Sequence, residues 1–360
     1  MKRRLSSLFF ITLFMMLPIA VSATEVTVWE VSDTDTKVFY YGTDGNTFPV
    51  APADGLPTGW NSNLNFDDGG WPLAFLYKNS AWLDPSSTGL FDEAGAEWIS
   101  ITGNGEGPDN ALSDGSRGVY LYRKTFQVPA TAYNISGDVA LASDNYGWLY
   151  LNGEEVLAPK DLTSNDLNFQ TPPSNGGIPV EQLDKLVCNN VLAAEVQNGC
   201  GNCGGSSNIP NGVTGVVFSM RLDYELPDVV WQPPVSNSNF SLKNGSTLPL
   251  KFKLLTQDGV LITSMQEIYL AIHKGKYVEP LGDIVAGWVL GKSVKYLRFD
   301  KGGGQYIANF QTNKMGLEDG WYTAVVHDGC TEETLGYIEF ELSSQKNTNR
   351  GNRPPKSPKK

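Results

Sequence analysis

Gly215-Val-Val-Phe-Ser-Met-Arg-Leu-Asp-Tyr224 decides the fold class. Val216, Phe218, Met220, Leu222 and Tyr224 fall on one side of an extended chain, and Ser219, Arg221 and Asp223 on the other. A period of two with one apolar side marks a half-buried antiparallel strand. Leu248, Leu250, Phe252 and Leu254 alternate in the same way with Pro249, Lys251 and Lys253, as do Ile338, Phe340 and Leu342 with Glu339 and Glu341. Gly, Asn, Asp and Pro punctuate the chain between such runs. The one helical signal is Val180–Val187, behind Pro179. Many short strands separated by turns predict an all-β chain built from β-sandwiches.

The ends are of another kind. Met1-Lys-Arg-Arg4 is cationic, Leu5–Val21 is apolar, and Val21-Ser22-Ala23 offers small residues for cleavage. Residues 1–23 read as a signal peptide, so the expected location is secreted, extracellular or cell surface, with no membrane span after cleavage. Ser344–Lys360 has no apolar residue and reads as a disordered basic tail. It lacks the hydrophobic stretch that a GPI-type anchor needs. The whole chain carries a formal charge of −12, and losing Lys2, Arg3 and Arg4 brings it to −15. Six further cations lie in the tail, so the folded part is more acidic still. Such a surface repels nucleic acid, which is not an expected partner. Between Leu226 and Val235 three prolines predict a stiff extended connector. The expected division is 24–225 for a first sandwich and 226–343 for a second.

Three segments of the first region resemble the galactose-binding-like jelly roll, found in discoidin-like modules and in accessory domains of some glycosidases. They are Asn65-Phe-Asp-Asp-Gly-Gly-Trp71; Glu97-Trp-Ile99 with Tyr120-Leu-Tyr-Arg-Lys-Thr-Phe126; and Asp144-Asn-Tyr-Gly-Trp-Leu-Tyr-Leu-Asn-Gly-Glu-Glu-Val156 with Asn190–Asn198. Asn152-Gly153 fits a type I′ hairpin turn on its own chemistry. Ala193 and Val196 lie in a small-residue strand that lets sheets approach. The second region resembles the PxKF family, an extracellular Ig-like repeat, through Pro249-Leu-Lys-Phe252, Gly304–Phe310 and Gly316–Val326. The resemblances imply an N-terminal jelly-roll β-sandwich plus a C-terminal Ig-like β-sandwich. Pro249 has no N–H to donate, which predicts an edge strand or a bulge.

No G-x-S-x-G, H-E-x-x-H or phosphate-binding loop occurs. The two histidines, His273 and His327, both fall in expected strands of the second region. Carboxylates are plentiful, so counting them does not decide glycosidase chemistry. No segment reads as a catalytic domain, and the expectation is a protein that is not an enzyme. Sugars stack on exposed aromatic faces beside amide and carboxylate groups. Trp60 and Trp82 sit in polar, loop-like surroundings, where they are either binding faces or core. Trp71, Trp98 and Trp148 read as core. Asp144, Asn145 and Tyr146 lie in a connection between strands, as ligand contacts or as an Asx turn.

Calcium takes six to eight oxygens from loops. Asp33/Asp35, Asp44/Asn46, Asp67/Asp68 and Asp109/Asp114 are oxygen-rich turns that would suit one structural calcium, which the first resemblance also implies. Cys188, Cys200, Cys203 and Cys330 are disulfide candidates in an exported chain. Cys188 has Cys200 and Cys203 nearby in sequence, and Cys330 is either free or bonded across the two regions. Asn134, Asn239 and Asn244 head glycosylation sequons. The composite expectation is an exported, non-catalytic carbohydrate-binding or adhesion module with an Ig-like spacer, its partner a carbohydrate or cell-surface polymer. The rival readings are a purely structural component of a surface or matrix, and an accessory protein of glycan degradation.

Overall fold

The computed structural model describes residues 25–43, 55–78, 82–104, 118–159, 173–198, 214–236, 240–263, 267–291 and 295–344. Cys200, Cys203, Asp44, Asn46, Asp109, Asp114, Asn239, residues 1–23 and the tail beyond Ser344 lie outside the described residues. Eleven strands come first: β1 (Glu25–Val31), β2 (Lys37–Thr43), β3 (Phe75–Leu76), β4 (Ile99–Ser100), β5 (Gly118–Gln127), β6 (Tyr133–Asp144), β7 (Tyr146–Leu151), β8 (Glu154–Leu157), β9 (Ser174–Gly177), β10 (Asn189–Asn198) and β11 (Gly215–Glu225). One sheet runs β3-β4-β11-β6-β9, with β1 also on β11; the facing sheet runs β2-β5-β10-β7-β8.

The apolar side of β11 does what its alternation predicts. Val216, Phe218, Met220 and Leu222 meet Tyr120, Tyr122, Leu149, Leu192 and Val196 from the facing sheet in one core. Two further clusters cover the outer faces. Trp60, Leu56, Phe66 and Trp71, from the segment before β3, close over Val119, Leu121, Trp148 and Ala193. Trp82, Phe91 and Trp98 close over Ala140, Ala142 and Val217 on the other sheet. Val119–Tyr122 in β5 and Val191–Gln197 in β10 are therefore buried on both faces rather than half-buried. Asn152 and Gly153 have φ of 50° and 90°, as a type I′ turn between β7 and β8 requires.

Nine strands follow: β12 (Asp228–Gln232), β13 (Phe240–Lys243), β14 (Thr247–Leu255), β15 (Ile268–Lys274), β16 (Ile284–Val289), β17 (Arg298–Asp300), β18 (Gln305–Gln311), β19 (Gly320–Asp328) and β20 (Thr334–Ser343). They form the sheets β12-β14-β18-β17 and β13-β20-β19-β15-β16, with a separate core that includes Leu250, Phe252, Ile272, Phe310 and Phe340. All-β sandwich architecture is thus what the alternating runs specify.

Three local expectations change. The proline-rich connector is largely a strand: β12 pairs with β14, and Trp231 packs on Phe252 with ring centroids 5.3 Å apart. β14 is not an edge strand, yet Pro249 still lacks a partner on one side. β12 ends at Gln232 opposite Lys251, so Pro249 pairs only with Asn309 of β18. The helical signal at Val180–Val187 yields a single turn, Val180–Leu183.

The two sandwiches are fastened where β11 leads into β12. Cys188, just before β10, is disulfide-bonded to Cys330, just after β19, with Cα atoms 5.2 Å apart. Cys188 is thus placed with Cys330, the alternative that bonds across the two regions. It closes a span of 142 residues, a loop whose closure entropy is worth roughly 5 kcal/mol in the chain-entropy account. Beside it, Asp328 is 1% exposed. Its Oδ2 accepts from Thr131 N at 2.9 Å and from Thr131 Oγ1 at 2.8 Å, across the junction. Its Oδ1 accepts from Cys330 N at 2.8 Å and Thr331 N at 3.2 Å, on its own side. Gln257 N adds a bond to Tyr133 Oη at 3.1 Å. Burial, Glu333 and Asp328 push the Tyr224 hydroxyl up to about 12. Burial and the Asp328 carboxylate hold Glu333 above its ordinary 4.5.

Asp328→Ala strips the acceptor from four donors of two sandwiches, and should lower the unfolding free energy by about 3 kcal/mol in urea titration. Glu333 is charged at a cost in the folded state. That cost is absent below the unfolded value of 4.5 and develops as pH rises through the elevated folded value. Glu333→Gln should therefore raise the thermal midpoint at neutral pH, with the gain gone in acid below that value; a gain that persists in acid would point to another cause.

Candidate functional site

The antiparallel registers bring four strand ends together away from the junction. Gly215 of β11 pairs with Asp144 of β6, and Gln197 of β10 with Tyr146 of β7. The 144–145 peptide that links β6 to β7 is cis. Asp144 uses both carboxylate oxygens: Oδ2 accepts from Trp82 Nε1 at 2.8 Å, and Oδ1 from Asn145 Nδ2 at 2.8 Å. Thr214 Oγ1 donates to the Asp144 carbonyl at 3.3 Å, and Asn145 N to the Gln197 carbonyl at 3.2 Å. Gln197 Nε2 donates to Glu195 Oε1 at 2.7 Å, and Tyr150 Oη approaches Glu195 Oε2 at 3.5 Å. Burial and Glu195 raise the Tyr150 hydroxyl above its ordinary range, so it stays protonated and serves as a donor.

Trp82 is locked against this cluster. Its ring lies 4.4 Å, centroid to centroid, from Trp98, whose Nε1 donates to Leu83 O at 2.9 Å. A Cβ on Gly215 would stand 2.5 Å from the Trp82 ring, so only glycine admits the indole there. Of the residues singled out in the sequence, Trp82, Asp144, Asn145 and Tyr146 come together at this end. Trp60 lies over the opposite sheet, edge-on to Tyr150 at 5.9 Å. All five are buried: Trp60 4%, Trp82 5%, Asp144 8%, Asn145 9% and Tyr146 2% exposed. Neither Trp60 nor Trp82 presents an open aromatic face.

Two further residues organise this end, and a third holds the segment that covers the opposite sheet. Glu195 and Gln197 are fully buried on the same face of β10. The signal was present in Ala193-Ala-Glu-Val-Gln197: a charge and an amide at alternate positions of a small-residue strand, where an unpartnered charge is costly. Arg123, 3% exposed, holds the covering segment by Nε to Trp60 O at 3.0 Å, by Nη2 to Asn63 O at 2.8 Å, and by an ion pair with Asp68.

Two of the calcium candidates within the described residues, Asp33 and Asp68, are already engaged. Asp33 pairs with Lys124 at 2.6 Å and also accepts from Asp35 N. Asp68 pairs with Lys37 and Arg123. Among the described residues, one group of three potential metal ligands lies close together, Cys188, Glu267 and Cys330, and its two sulfurs are joined in the disulfide. A cleft of about 460 Å³ opens beside that bond, with Val128, Tyr133, Leu183, Val187 and Glu267 among its walls.

No family model matches the sequence, and no curated protein matches it. Similar solved structures include a beta-glucuronidase from an uncultured Clostridium sp., 10% identical with a TM-score of 0.26, covering 91% of this chain and 46% of that one. A putative beta-galactosidase from Bacteroides fragilis is 12% identical with a TM-score of 0.24, covering 88% and 41%. A Ruminococcus gnavus beta-glucuronidase is 14% identical with a TM-score of 0.20, covering 72% and 42%. The chain spans less than half the length of each.

Trp82→Phe keeps an aromatic ring but removes the donor to a buried carboxylate. It should cost about 2 kcal/mol in denaturant titration; an unchanged midpoint would mean that Asp144 does not need the indole N–H.

Proposed function

We propose that this is an exported, non-catalytic recognition protein. Its first sandwich presents the end bearing Asp144, Asn145 and Gln197 to a carbohydrate or cell-surface polymer, and its second sandwich is an Ig-like spacer. The observation that carries this reading is the placement of junction and polar cluster at opposite ends of the same strands. β6 begins at Tyr133, beside the junction, and ends at Asp144; β10 begins next to Cys188 and ends at Asn198. The twelve residues of β6 set the two ends roughly 36 Å apart. A carboxylate, two amides and a hydroxyl, buried and bonded to one another, brace this end, and the surface they support is what would meet a ligand rich in hydroxyl groups. The cationic and apolar leader of residues 1–23, together with a disulfide, supports export.

One observation favours the rival reading of a purely structural surface or matrix component. The aromatic faces that sugar stacking would use, Trp60 and Trp82, are covered. One structural calcium remains part of the proposal, which makes calcium a variable of the test. A glycan array probed with the full chain, with and without calcium, should show binding that Asn145→Ala weakens at least tenfold. Binding to nothing in either condition would remove the recognition reading and leave the structural one.

A further inference from the structure

The chain has two histidines, and the second sandwich places them side by side. His273 is on β15 and His327 on the neighbouring β19. In register they stand opposite Thr323 and Tyr269, four positions apart along the strands. Their rings nevertheless converge to 6.2 Å between centroids, at 66° to one another. Ala271 and Val325 occupy the paired positions between them, and both are fully buried.

Each ring has the same hydrogen-bonding arrangement. His273 Nδ1 is 2.8 Å from the carbonyl of Gly282, and His327 Nδ1 is 3.1 Å from the carbonyl of Glu332. A carbonyl only accepts, so both Nδ1 atoms carry the proton and both Nε2 atoms keep a lone pair. His273 is 6% exposed, and its Nε2 is buried with no hydrogen-bond partner. An acceptor buried without a donor is costly, and a native fold seldom leaves one.

An imidazole whose Nδ1–H is fixed on a backbone carbonyl and whose Nε2 is bare is the usual form of a metal ligand. Two imidazoles sharing an ion through Nε2, at about 2.0–2.1 Å each, place their centroids roughly 5–6.4 Å apart, depending on the angle at the metal. At the observed 6.2 Å the angle at the metal would be about 150°, so a tetrahedral ion would draw the two rings about 1 Å closer. The strap between β15 and β16 carries a carboxylate, Glu279, which acts electrostatically on His327 and accepts from Tyr277 Oη at 2.9 Å. Tyr277 stacks flat on Tyr337 at 3.9 Å, and its N–H donates to Glu339, which ties the strap to the sheet.

We infer that His273 and His327 form a two-imidazole site for a borderline divalent cation of the zinc, nickel or copper class, with water completing the coordination and the Glu279 charge acting on it from the strap. The site lies on the outer face of the β13-β20-β19-β15-β16 sheet and owes nothing to the polar end of the first sandwich. Its metal would fasten the strap to the sheet.

The test uses Zn²⁺ alone on the full, tag-free, oxidised chain, with Cys200→Ser and Cys203→Ser introduced to remove the remaining thiols. Because the chain has two histidines, proton NMR of the imidazoles reads the site without disturbing it. Both sets of imidazole resonances should shift together and saturate at one equivalent of Zn²⁺, and calorimetry should give the same stoichiometry. His273→Gln and His327→Gln should each weaken binding at least tenfold, and Glu279→Gln by a smaller factor. Zinc that leaves both imidazoles unmoved, or full affinity in either histidine variant, overturns the inference; if a histidine variant fails to fold, the NMR titration decides alone.

Discussion

The carboxylate of Asp328 is the point on which the arrangement of the two sandwiches turns. A buried charge survives only when its oxygens are saturated by donors. Here two donors come from Thr131 in the first sandwich, and two come from the turn that follows β19 in the second. Neither sandwich alone satisfies the group, so the carboxylate is a folded-state reason for the two to stay docked. The Cys188–Cys330 bond acts on a different part of the free energy. It restricts the unfolded chain, and it keeps Thr131 close to Asp328 whenever local contacts loosen. Glu333 works against the pair, since a second carboxylate near Asp328 repels it.

At the other end the constraint is coverage. Sheets of a sandwich have an outer face that water can reach, and many sequences leave it polar. Here the segments carrying Trp60 and Trp82 close both outer faces. That coverage explains why Arg123, Glu195 and Gln197, buried within β5 and β10, are partnered. Arg123 binds the covering segment, and Glu195 and Gln197 bind one another and Tyr150. With the faces closed, the strand ends are where this sandwich can offer new chemistry to a partner.

The alternating strands were legible because a period of two is a local property. Gly215–Tyr224, Leu248–Leu254 and Ile338–Leu342 each carry their burial pattern in their own side chains. Asn152-Gly153 was legible for the same reason, since positive φ at consecutive positions is written into residue type. Pairings between distant segments were not legible. Nothing near Cys188 distinguishes Cys330 from Cys200 or Cys203, because the bond is decided by how two sandwiches dock. The role of Pro249 depended on where β12 stops, which is a fact about a neighbouring strand. Trp60 and Trp82 lie in polar sequence, yet each is buried because its ring faces a sheet assembled from strands far along the chain.

A rigid junction also changes what the far end can do. Were the sandwiches joined only by Leu226 and Pro227, the end bearing Asp144 would sweep a wide arc relative to whatever holds the second sandwich. Binding would then have to immobilise that motion, and the loss would come out of the affinity. With the disulfide and Asp328 in place, the ordering is complete before any partner arrives. The cost has already been met within the folding of the chain, where burial and a long closed loop supply it. The disulfide and the shared carboxylate therefore hold the strand ends of the first sandwich at a set distance from the second.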